Sequence, residues 1–557
     1  MNALRLGTRG SRLALVQSEL VAKRLQQLGV SVQLVTIVSD GDLRAPDTPI
    51  GEGVFVTALE RALVDGDIDL AVHSAKDLPL DENPALTIAA YPQRADPRDA
   101  LVVRGSATSI DDLAARARVG TDSPRRAGFL RAARPDLELI PLHGNVDTRL
   151  TRLESGEADG LVLAAAGLDR LGFGERIAAR LDPAWMPPAP GQGALAVQAR
   201  RGDRAVLGAL RALDDSQVRM AVVAERAVLK AVGGGCQAPV GALATHGDAG
   251  LTLLVGAVTR DGKSRHVLRR THVDERSLAQ SACLVAEELH AAVAMTSRVV
   301  IDTAPDLDPL LSESARRHGY RVVHAPTIAI ESVDGSGGLE RARARIADYD
   351  WVVVTSWRGV EALLDGPDSV PPPTVRWAAV GPTTARALRE RGVRVDCVPA
   401  AQSADAIPNA MAQHGPVKGA RVLLARADAA GRSLPEQLTL MGAEVDDIVA
   451  YRTVIAPEES RRALVQALKD RETEAIMFAS GSAVRGAVDL SGPDVVRARS
   501  LQVFTIGPKT SAVARDLGFE VTAEAVERDA VGLGSALASG LKQEVERWVE
   551  SQLRPPV

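Results

Sequence analysis

The stretch Ile68-Asp69-Leu70-Ala71-Val72-His73-Ser74-Ala75-Lys76-Asp77-Leu78-Pro79 decides the fold class of this chain. Its first five residues predict a buried strand, and a polar turn follows at the end of that strand. Upstream, residues 3–7 predict another strand and residues 13–28 predict an amphipathic helix. Such alternation indicates α/β domains with parallel or mixed sheets. Because the loops after the strands carry the site in these folds, the turn is a candidate for function.

Arginines follow several of the predicted strands in the first half. A single arginine in such a place is usually solvated surface, but several in one α/β unit suggest a cleft for a polycarboxylate or polyphosphate. A helix that starts at Pro124 and is capped by Thr121 or Ser123 would add free N–H groups to an anion site. Both interpretations stay open on the residues alone. The arginines concerned are Arg9, Arg125, Arg126, Arg149 and Arg170.

Lys76 and Asp77 form a second candidate cluster. Lys76 is the single lysine between Lys23 and Lys230. A carboxyl group in a cleft can donate or accept a proton, and it can stabilise a cation that develops on a substrate. The structural alternative for Asp77 is an ordinary aspartate at the start of a helix, where the helix dipole favours it. The residues do not choose between the two.

The segment Gly233-Gly234-Gly235-Cys236-Gln237-Ala238-Pro239 surrounds one thiol with glycine. The chain has only 3 cysteines, so it has no disulfide framework. The glycines remove side chains next to Cys236 and let the backbone turn tightly. A small apolar loop residue is the commoner explanation of a lone cysteine. The glycine setting nevertheless makes a covalent attachment point more plausible here than elsewhere.

Length and composition bound the class of protein. A chain of 557 residues should hold several domains, and its 46% apolar and 25% charged residues suit globular domains. The net charge of −5 and the 3% aromatic content argue against a nucleic-acid partner. The N-terminus has no signal-peptide pattern, and no apolar run is long enough to span a membrane. We therefore expect a cytoplasmic protein without a membrane partner, with a monomer as the working expectation.

Six motifs of the first half occur in an order that resembles hydroxymethylbilane synthase, also called porphobilinogen deaminase, over residues 3 to about 295. They are Thr8-Arg9-Gly10-Ser11, His73-Ser74-Ala75-Lys76-Asp77, Asp96-Pro97-Arg98-Asp99-Ala100, Gly144-Asn145-Val146-Asp147-Thr148-Arg149, Ala189-Pro190-Gly191-Gln192-Gly193 and Gly235-Cys236-Gln237-Ala238-Pro239. The resemblance implies three domains: two periplasmic-binding-protein-like α/β lobes (1–93 with 194–212, and 98–187) and a small α+β domain (215–295).

The same resemblance implies the chemistry of the first half. A dipyrromethane cofactor would be held on Cys236 through a thioether, and porphobilinogen units would be added to it with loss of ammonia. Asp77 would assist proton transfers and stabilise cationic pyrroles, while the five arginines would bind the acetate and propionate groups. The other residues implied to line this cleft are Ser11, Ser74, Lys76, Thr121, Ser123 and Asn145.

Two departures from that family stand out. His143 occupies a position where arginine is usual, so one carboxylate contact is expected to be weaker or pH-dependent. The segment 42–52, which corresponds to a mobile loop over the cleft, is short and has no lysine.

The second half contains an internal repeat, which predicts two similar α/β lobes. Residues 352–356 resemble residues 476–480, and Gly381-Pro382-Thr383-Thr384 resembles Gly507-Pro508-Lys509-Thr510. In the context of the first half, residues 298 to about 541 resemble uroporphyrinogen-III synthase. The implied lobes of this two-lobed α/β synthase are 298–332 with 452–541, and 333–451.

That second family closes the linear tetrapyrrole with inversion of the last ring and uses no metal or cofactor. The resemblance places at Tyr451 a tyrosine that helps the hydroxymethyl group leave as water. A departure is Ser480-Gly481-Ser482, where proline is common between the serines. The residues implied to hold substrate carboxylates are Ser356, Thr384, Ser480, Ser482, Lys509 and Thr510.

The sequence thus predicts a bifunctional enzyme that acts on porphobilinogen and then on hydroxymethylbilane. Two alternatives remain. The second half can be a degenerate, non-catalytic scaffold beside an active first half. The whole chain can instead be a two-lobed anion-binding module, a class that has no use for Cys236.

Overall fold

The computed structural model describes residues 3–38, 56–81, 83–233, 235, 238–247, 250–295, 298–333, 337–364, 373–401 and 403–554. The chain forms two compact units. Unit 1 comprises Met1–Val299, Ser312–Val322 and Leu537–Val557. Unit 2 comprises Val300–Leu311 and Val323–Ala536, so in sequence it is inserted into unit 1.

Strands and helices alternate in parts of the first half, as the sequence predicts, and in other parts strands follow one another directly. We number the elements in chain order. Strands β1–β13 are Leu4–Thr8, Val32–Thr36, Leu70–Ser74, Leu86–Ala90, Asp99–Val103, Arg118–Gly120, Glu138–Ile140, Gly160–Ala164, Ile177–Arg180, Leu195–Arg200, Val240–Gly247, Gly250–Val258 and Arg265–Val273. Helices α1–α8 are Arg12–Gln27, Thr57–Asp65, Pro124–Ala133, Val146–Glu154, Ala165–Arg170, Arg204–Leu210, Ser216–Val232 and Leu278–Val293.

The first sheet has the strand order β2-β1-β3-β10-β4. Strand β1 pairs in parallel with β2 and β3, whereas β10 is antiparallel to β3 and β4. Strand β3 ends at Ser74, two residues later than the sequence predicts, because Ser74 pairs with Leu195 of β10. The apolar side chains of this sheet, such as those of Leu6, Leu70 and Val197, are fully buried. The sheet therefore brings the turns after β1 and β3 to one edge.

The second sheet has the strand order β7-β6-β8-β5-β9. Strand β6 is parallel to β7 and β8, and β5 is antiparallel to β8 and β9. Leu101 and Val119 lie in one of its cores, and Leu161 lies in the other. Burial on both faces explains why the central strands β5 and β8 are short apolar runs and do not alternate with polar residues.

A third sheet is antiparallel, with the order β11-β12-β13. Helix α7 is capped by Asp215, whose side chain accepts hydrogen bonds from the backbone N–H groups of Gln217 and Val218. Most residues of this helix are buried, including Glu225 and Arg226. This confirms the small α+β part of the predicted fold class.

The second half repeats a strand–helix pattern, again numbered in chain order. Strands β14–β23 are Arg298–Asp302, Tyr320–His324, Ile328–Ser332, Trp351–Val354, Arg376–Ala379, Arg421–Ala427, Glu444–Ile455, Thr473–Phe478, Gln502–Thr505 and Val521–Glu524. Helices α9–α19 are Pro309–Arg317, Gly338–Ala344, Trp357–Leu363, Pro382–Glu390, Ile407–His414, Ser433–Leu440, Arg461–Lys469, Gly481–Ser491, Val495–Arg499, Pro508–Asp516 and Ala530–Leu553.

Two five-stranded sheets organise these elements, which confirms the predicted two-lobed α/β architecture. Their orders are β15-β14-β21-β22-β23 and β16-β20-β19-β17-β18. Strand β17 pairs in parallel with β18, which precedes Gly381-Pro382. In the same way, β21 pairs in parallel with β22, which precedes Gly507-Pro508. The boundaries of the five domains remain a prediction. Within the described part of the chain, no helix has both the length and the apolar character that a membrane span requires.

Candidate active sites

A cavity of about 390 Å³ in unit 1 gathers the turns that follow β1, β3, β6 and β8. The strand pairing explains this, because the carboxyl ends of parallel neighbours meet at one edge of a sheet. The predicted residues that line it are Arg9, Ser11, Ser74, Lys76, Asp77, Ser123, Arg126, Asn145, Arg149 and Arg170. An acid, an amine and several guanidinium groups thus share one cleft.

A second cavity of about 160 Å³ shares Lys76, Asp77 and Arg126 with the first. Gly235 and Ala238 also line this smaller cavity. Cys236 and the segment 42–52 lie outside the described residues. Gly233 and Gly235 have φ angles of 80° and 54°, which favour glycine over any residue with a Cβ atom. Both angles suit the glycine-rich backbone that the sequence predicts before the cysteine.

Asp99, which the sequence analysis assigned no role, ties together Arg125 and Arg126. Its Oδ2 lies 2.7 Å from Nη1 of Arg125, and its Oδ1 lies 2.8 Å from Nη2 of Arg126. Burial favours the neutral form of Asp99, but the two guanidinium groups outweigh it and hold its pKa well below the usual range. Arg125 also donates to the carbonyl oxygen of Pro187 at 2.8 Å. The positive charge of both arginines is therefore partly neutralised within the protein.

Arg149 and His143 both contact the carboxylate of Asp122. Nη2 of Arg149 lies 3.1 Å from Asp122 Oδ2, and Nδ1 of His143 lies 3.2 Å from Asp122 Oδ1. Burial lowers the pKa of Arg149, although Asp122 opposes that shift. Arg149 Nε donates to the carbonyl oxygen of Gly144 at 2.7 Å. His143 is not among the residues that line the two cavities, so its effect on carboxylate binding stays a prediction.

Lys76 forms a hydrogen bond with Gln192, a second residue for which the sequence predicts no role. Lys76 Nζ donates to Gln192 Oε1 at 3.4 Å, and Gln192 Nε2 donates to Asp99 Oδ1 at 3.0 Å. Burial lowers the pKa of the Lys76 amine, and the neighbouring Asp77 opposes that shift. Gln192 therefore connects the amine to the buried pair of arginines. The sequence feature that could have indicated a role for Gln192 is its place in the motif Ala189-Pro190-Gly191-Gln192-Gly193.

The remaining predicted residues of this site have local partners. Ser123, not Thr121, caps α3, because its Oγ accepts a hydrogen bond from the backbone N–H of Arg126 at 3.4 Å. Thr121 is buried, and its Oγ1 accepts from the Ser123 N–H at 3.3 Å. It does not line either cavity. Arg170 donates to the carbonyl oxygen of Gly193 at 2.7 Å, and burial lowers its pKa to about 10.

Unit 2 contains a cleft of about 620 Å³, and Tyr451 lines it. The Tyr451 hydroxyl accepts a hydrogen bond from Ser356 Oγ at 3.0 Å. Ser356 also caps α11, since its Oγ accepts from the backbone N–H of Gly359 at 3.1 Å. The cations Arg343 and Arg358 line the same cleft. Sequence reasoning missed them, although Arg358 follows the first repeat motif by two positions.

Of the residues predicted for the second half, only Tyr451 is among those that line that cleft, and Ser356 contacts it through its hydrogen bond to Tyr451. Thr384 and Thr510 are buried in the first turns of their helices. Ser480 caps α16 by accepting from the backbone N–H of Ala483 at 3.1 Å, and Ser482 follows in that helix. Lys509 forms an exposed ion pair with Asp405, with Nζ 3.1 Å from Oδ2. Their substrate contacts stay a prediction.

Asp302, at the end of β14, gives a pH-dependent prediction. Its Oδ1 accepts from the Ala304 N–H at 3.2 Å, whereas Oδ2 is buried without a hydrogen-bond partner among the described residues. Burial raises its pKa to about 6, above the unfolded value. The folded state then binds the proton more tightly, so stability from this group is highest at low pH and falls as pH rises through about 4 to 6.

We expect Asp302→Asn to remove that loss, because asparagine keeps the acceptor and carries no charge. Relative to the parent, the variant should gain about 2 kcal/mol more in free energy of unfolding at about pH 7.5 than at about pH 4.5. Urea denaturation at both pH values measures this difference. The exposed Asp516→Asn is the control and should gain nothing between them. An equal gain at both pH values would contradict the assignment.

Comparison with known protein families agrees with these two sites. Residues 4–208 match the family described as porphobilinogen deaminase, dipyromethane cofactor binding domain. Residues 219–291 match porphobilinogen deaminase, C-terminal domain, and residues 310–533 match uroporphyrinogen-III synthase HemD.

Curated relatives cover the first half. A porphobilinogen deaminase of Acidothermus cellulolyticus is 50% identical over 279 residues, which are 49% of this chain and 83% of that protein. A porphobilinogen deaminase of Roseiflexus sp. is 49% identical over 291 residues, or 51% of this chain and 94% of that protein. Among solved structures, a mutant uroporphyrinogen III synthase from Thermus thermophilus is 20% identical, with a TM-score of 0.32, over 45% of this chain and 99% of that one. The assignment of the second half rests on the family match.

Proposed function

The chain belongs to the porphobilinogen deaminase family over its first half, and from this premise we propose how its residues act. Its second half carries a uroporphyrinogen-III synthase domain, so the chain is a bifunctional enzyme of tetrapyrrole biosynthesis, a transferase joined to a lyase. The first half joins porphobilinogen units into hydroxymethylbilane with release of ammonia. The second half closes hydroxymethylbilane, with inversion of the last ring, to uroporphyrinogen III.

The observation that carries the first activity is the placement of Asp77. It lines both cavities of unit 1 together with Lys76 and Arg126. A carboxylate at this junction can hold a proton for the departing amine and can stabilise positive charge on a pyrrole. Because Asp77 shares the cleft with cations, the carboxylates of the substrate and the developing positive charge both find partners of opposite sign.

The cofactor of this family is dipyrromethane, and the residues present fit it. Gly235 and Ala238, which flank Cys236 in sequence, line the smaller cavity beside Asp77. The position of these two neighbours supports the proposal that Cys236 carries the dipyrromethane. When bound, dipyrromethane supplies the pyrrole end to which new units are joined. Ser11, Ser74, Ser123 and Asn145 line the larger cavity and offer polar side chains to it.

The arginines of the larger cavity bind and orient the substrate. Arg9, Arg149 and Arg170 line it, and a guanidinium fork can bind a carboxylate through two hydrogen bonds. Arg126 faces the same cavity while it stays paired with Asp99. Arg125 is buried against Asp99 and Pro187, so we propose that it supports Arg126 and acts less directly on the substrate.

In the second half, Tyr451 is the proposed proton source for the departing hydroxyl group. Its hydroxyl lies in the cleft and is fixed by the hydrogen bond from Ser356. Arg343 and Arg358 offer positive charge to substrate carboxylates in that cleft. We propose that the enzyme acts in the cytoplasm, as a monomer and without nucleic acid or membrane. A reducing compartment suits an enzyme whose cofactor attaches to a thiol.

Isomer analysis of the product tests the two activities together. The purified chain, given porphobilinogen alone, is expected to yield uroporphyrinogen III, because the second half closes hydroxymethylbilane with inversion of the last ring. Hydroxymethylbilane that is left in solution closes to the type I isomer instead. Chromatography of the oxidised porphyrins separates the two isomers. Tyr451→Phe should shift the product towards type I while porphobilinogen consumption stays at the parent rate.

Each alternative has its own outcome in the same experiment. A product that is type I only, from the parent chain, would show a non-catalytic second half. Binding of porphobilinogen without any consumption would support an anion-binding module and would contradict both activities.

A further inference from the structure

Arg226 of α7 holds the backbone of the loop that carries Lys76 and Asp77. Its Nη1 donates to the carbonyl oxygens of Ala75 at 2.9 Å and Leu78 at 3.0 Å. Its Nη2 donates to the carbonyl oxygen of Pro79 at 2.9 Å. Only 2% of Arg226 is exposed. The position of Asp77 therefore depends on where this buried guanidinium lies.

The C-terminal helix α19 reaches the same loop. The indole Nε1 of Trp548 donates to the carbonyl oxygen of Leu80 at 3.1 Å. The guanidinium carbon of Arg226 lies 5.8 Å from the centroid of the Trp548 ring, which is within the range of a cation–π contact. Trp548 thus contacts the loop directly and also contacts the arginine that holds it.

Glu544 of α19 adds a contact near the segment that leads to Cys236. Its Oε1 lies 2.5 Å from Nζ of Lys230, and the same nitrogen lies 3.2 Å from Asp81 Oδ1. Lys230 stands in the last turn of α7, three residues before Gly233. Further along α19, the carbonyl oxygen of Gln552 accepts from Arg219 Nη1 at 3.0 Å. All these residues belong to unit 1.

We propose that α19 is a positioning element of the first active site, with Trp548 and Glu544 as its positioning residues. The proposal rests on the proposed role of Asp77. The family matches end at residue 533, so they assign nothing to these residues. The helix follows the synthase domain in the chain, yet its last two thirds belong to the unit that holds the deaminase site. Through it, the far end of the chain sets the geometry of Asp77.

Kinetics of three variants in the full chain test this proposal. Trp548→Ala should lower kcat for porphobilinogen about tenfold and change KM less than about twofold, because a displaced acid affects turnover more than binding. Trp548→Phe keeps the ring but loses the N–H donor, so it should restore part of kcat. Glu544→Gln should lower kcat to a smaller extent. Arg547→Ala, an exposed neighbour on the same helix, is the control and should keep the parent kcat.

Two further readouts separate positioning from general damage. Closure of supplied hydroxymethylbilane should stay at the parent rate in every variant, and amide exchange in residues 75–81 should rise in Trp548→Ala. Parent kcat in Trp548→Ala, with Asp77→Asn inactive, would overturn this proposal and leave the proposed function standing. A loss of both activities in step with the melting temperature would also overturn it. Full activity of Asp77→Asn would instead remove the proposed function.

Discussion

Asp77→Asn is expected to consume porphobilinogen at least about 100 times more slowly than the parent chain, because a positioned acid contributes that much or more. Asparagine has nearly the same shape but can neither hold a transferable proton nor carry negative charge. Asp77 is exposed in the cleft, so its replacement should leave the fold intact. The loss should appear in kcat more than in KM, since the arginines that bind carboxylates remain.

The initial rate of porphobilinogen consumption, measured over a range of substrate concentrations, checks this result. Asp67→Asn is the matched control, because Asp67 is exposed and lies just before the other end of β3. It should keep the parent rate. An Asp77→Asn variant with more than about half of that rate would contradict a catalytic role for this carboxyl group.

Cys236→Ser is expected to lose the covalent cofactor completely, and with it all turnover of porphobilinogen. The thiolate is the nucleophile in thioether formation, whereas a serine hydroxyl is too weakly acidic to replace it. Intact-mass measurement should show the mass of one dipyrromethane on the parent chain and none on the variant. The variant should fold normally, because serine is close to cysteine in size.

Cys283→Ala is the control for the thiol. Cys283 is buried in α8, and burial raises its pKa to about 11, so the thiol stays protonated and unreactive. This variant should carry the same added mass as the parent chain. Retention of that mass in Cys236→Ser would place the cofactor on another residue and would remove the proposed attachment point.

Several features of the first site could be predicted because they depend on local sequence. A short apolar run followed by a polar turn places Arg9, Lys76 and Asp77 after strands. Parallel pairing then brings such turns to one edge. The glycines before Cys236 predict a backbone that only glycine adopts easily, and the φ angle of Gly233 agrees.

Other features depend on which strands become neighbours, and the sequence does not contain that information locally. Asp99 stands 26 and 27 positions before Arg125 and Arg126, yet the fold packs β5 beside the start of α3 and forms the buried ion pairs. The sequence alone therefore does not distinguish the five arginines, whereas in the structure Arg125 lines the smaller cavity and not the larger one. Thr121, which the resemblance places in the cleft, lines neither cavity and instead supports the turn that presents Ser123.

In the second half, the repeated motifs predict where helices begin, but they do not predict which residues line the cleft. Hydroxyl groups at helix starts, such as those of Ser356 and Ser480, cap their own helices. Capping is a local property and can be predicted, whereas the direction in which each lobe faces depends on long-range packing. Tyr451 lies in the cleft because it belongs to strand β20, whose register with β16 fixes the face on which each side chain lies.

The insertion of unit 2 into unit 1 has a consequence for biosynthesis of the chain. Residues 537–557 belong to unit 1, but a ribosome makes them only after every residue of unit 2. Domains generally fold as they emerge during translation, from the N-terminus onward. Unit 2 can therefore be complete while unit 1 still lacks Trp548 and its contacts with the loop at Leu80. A translation product cut short after residue 536 would hold all of unit 2 and an unfinished unit 1.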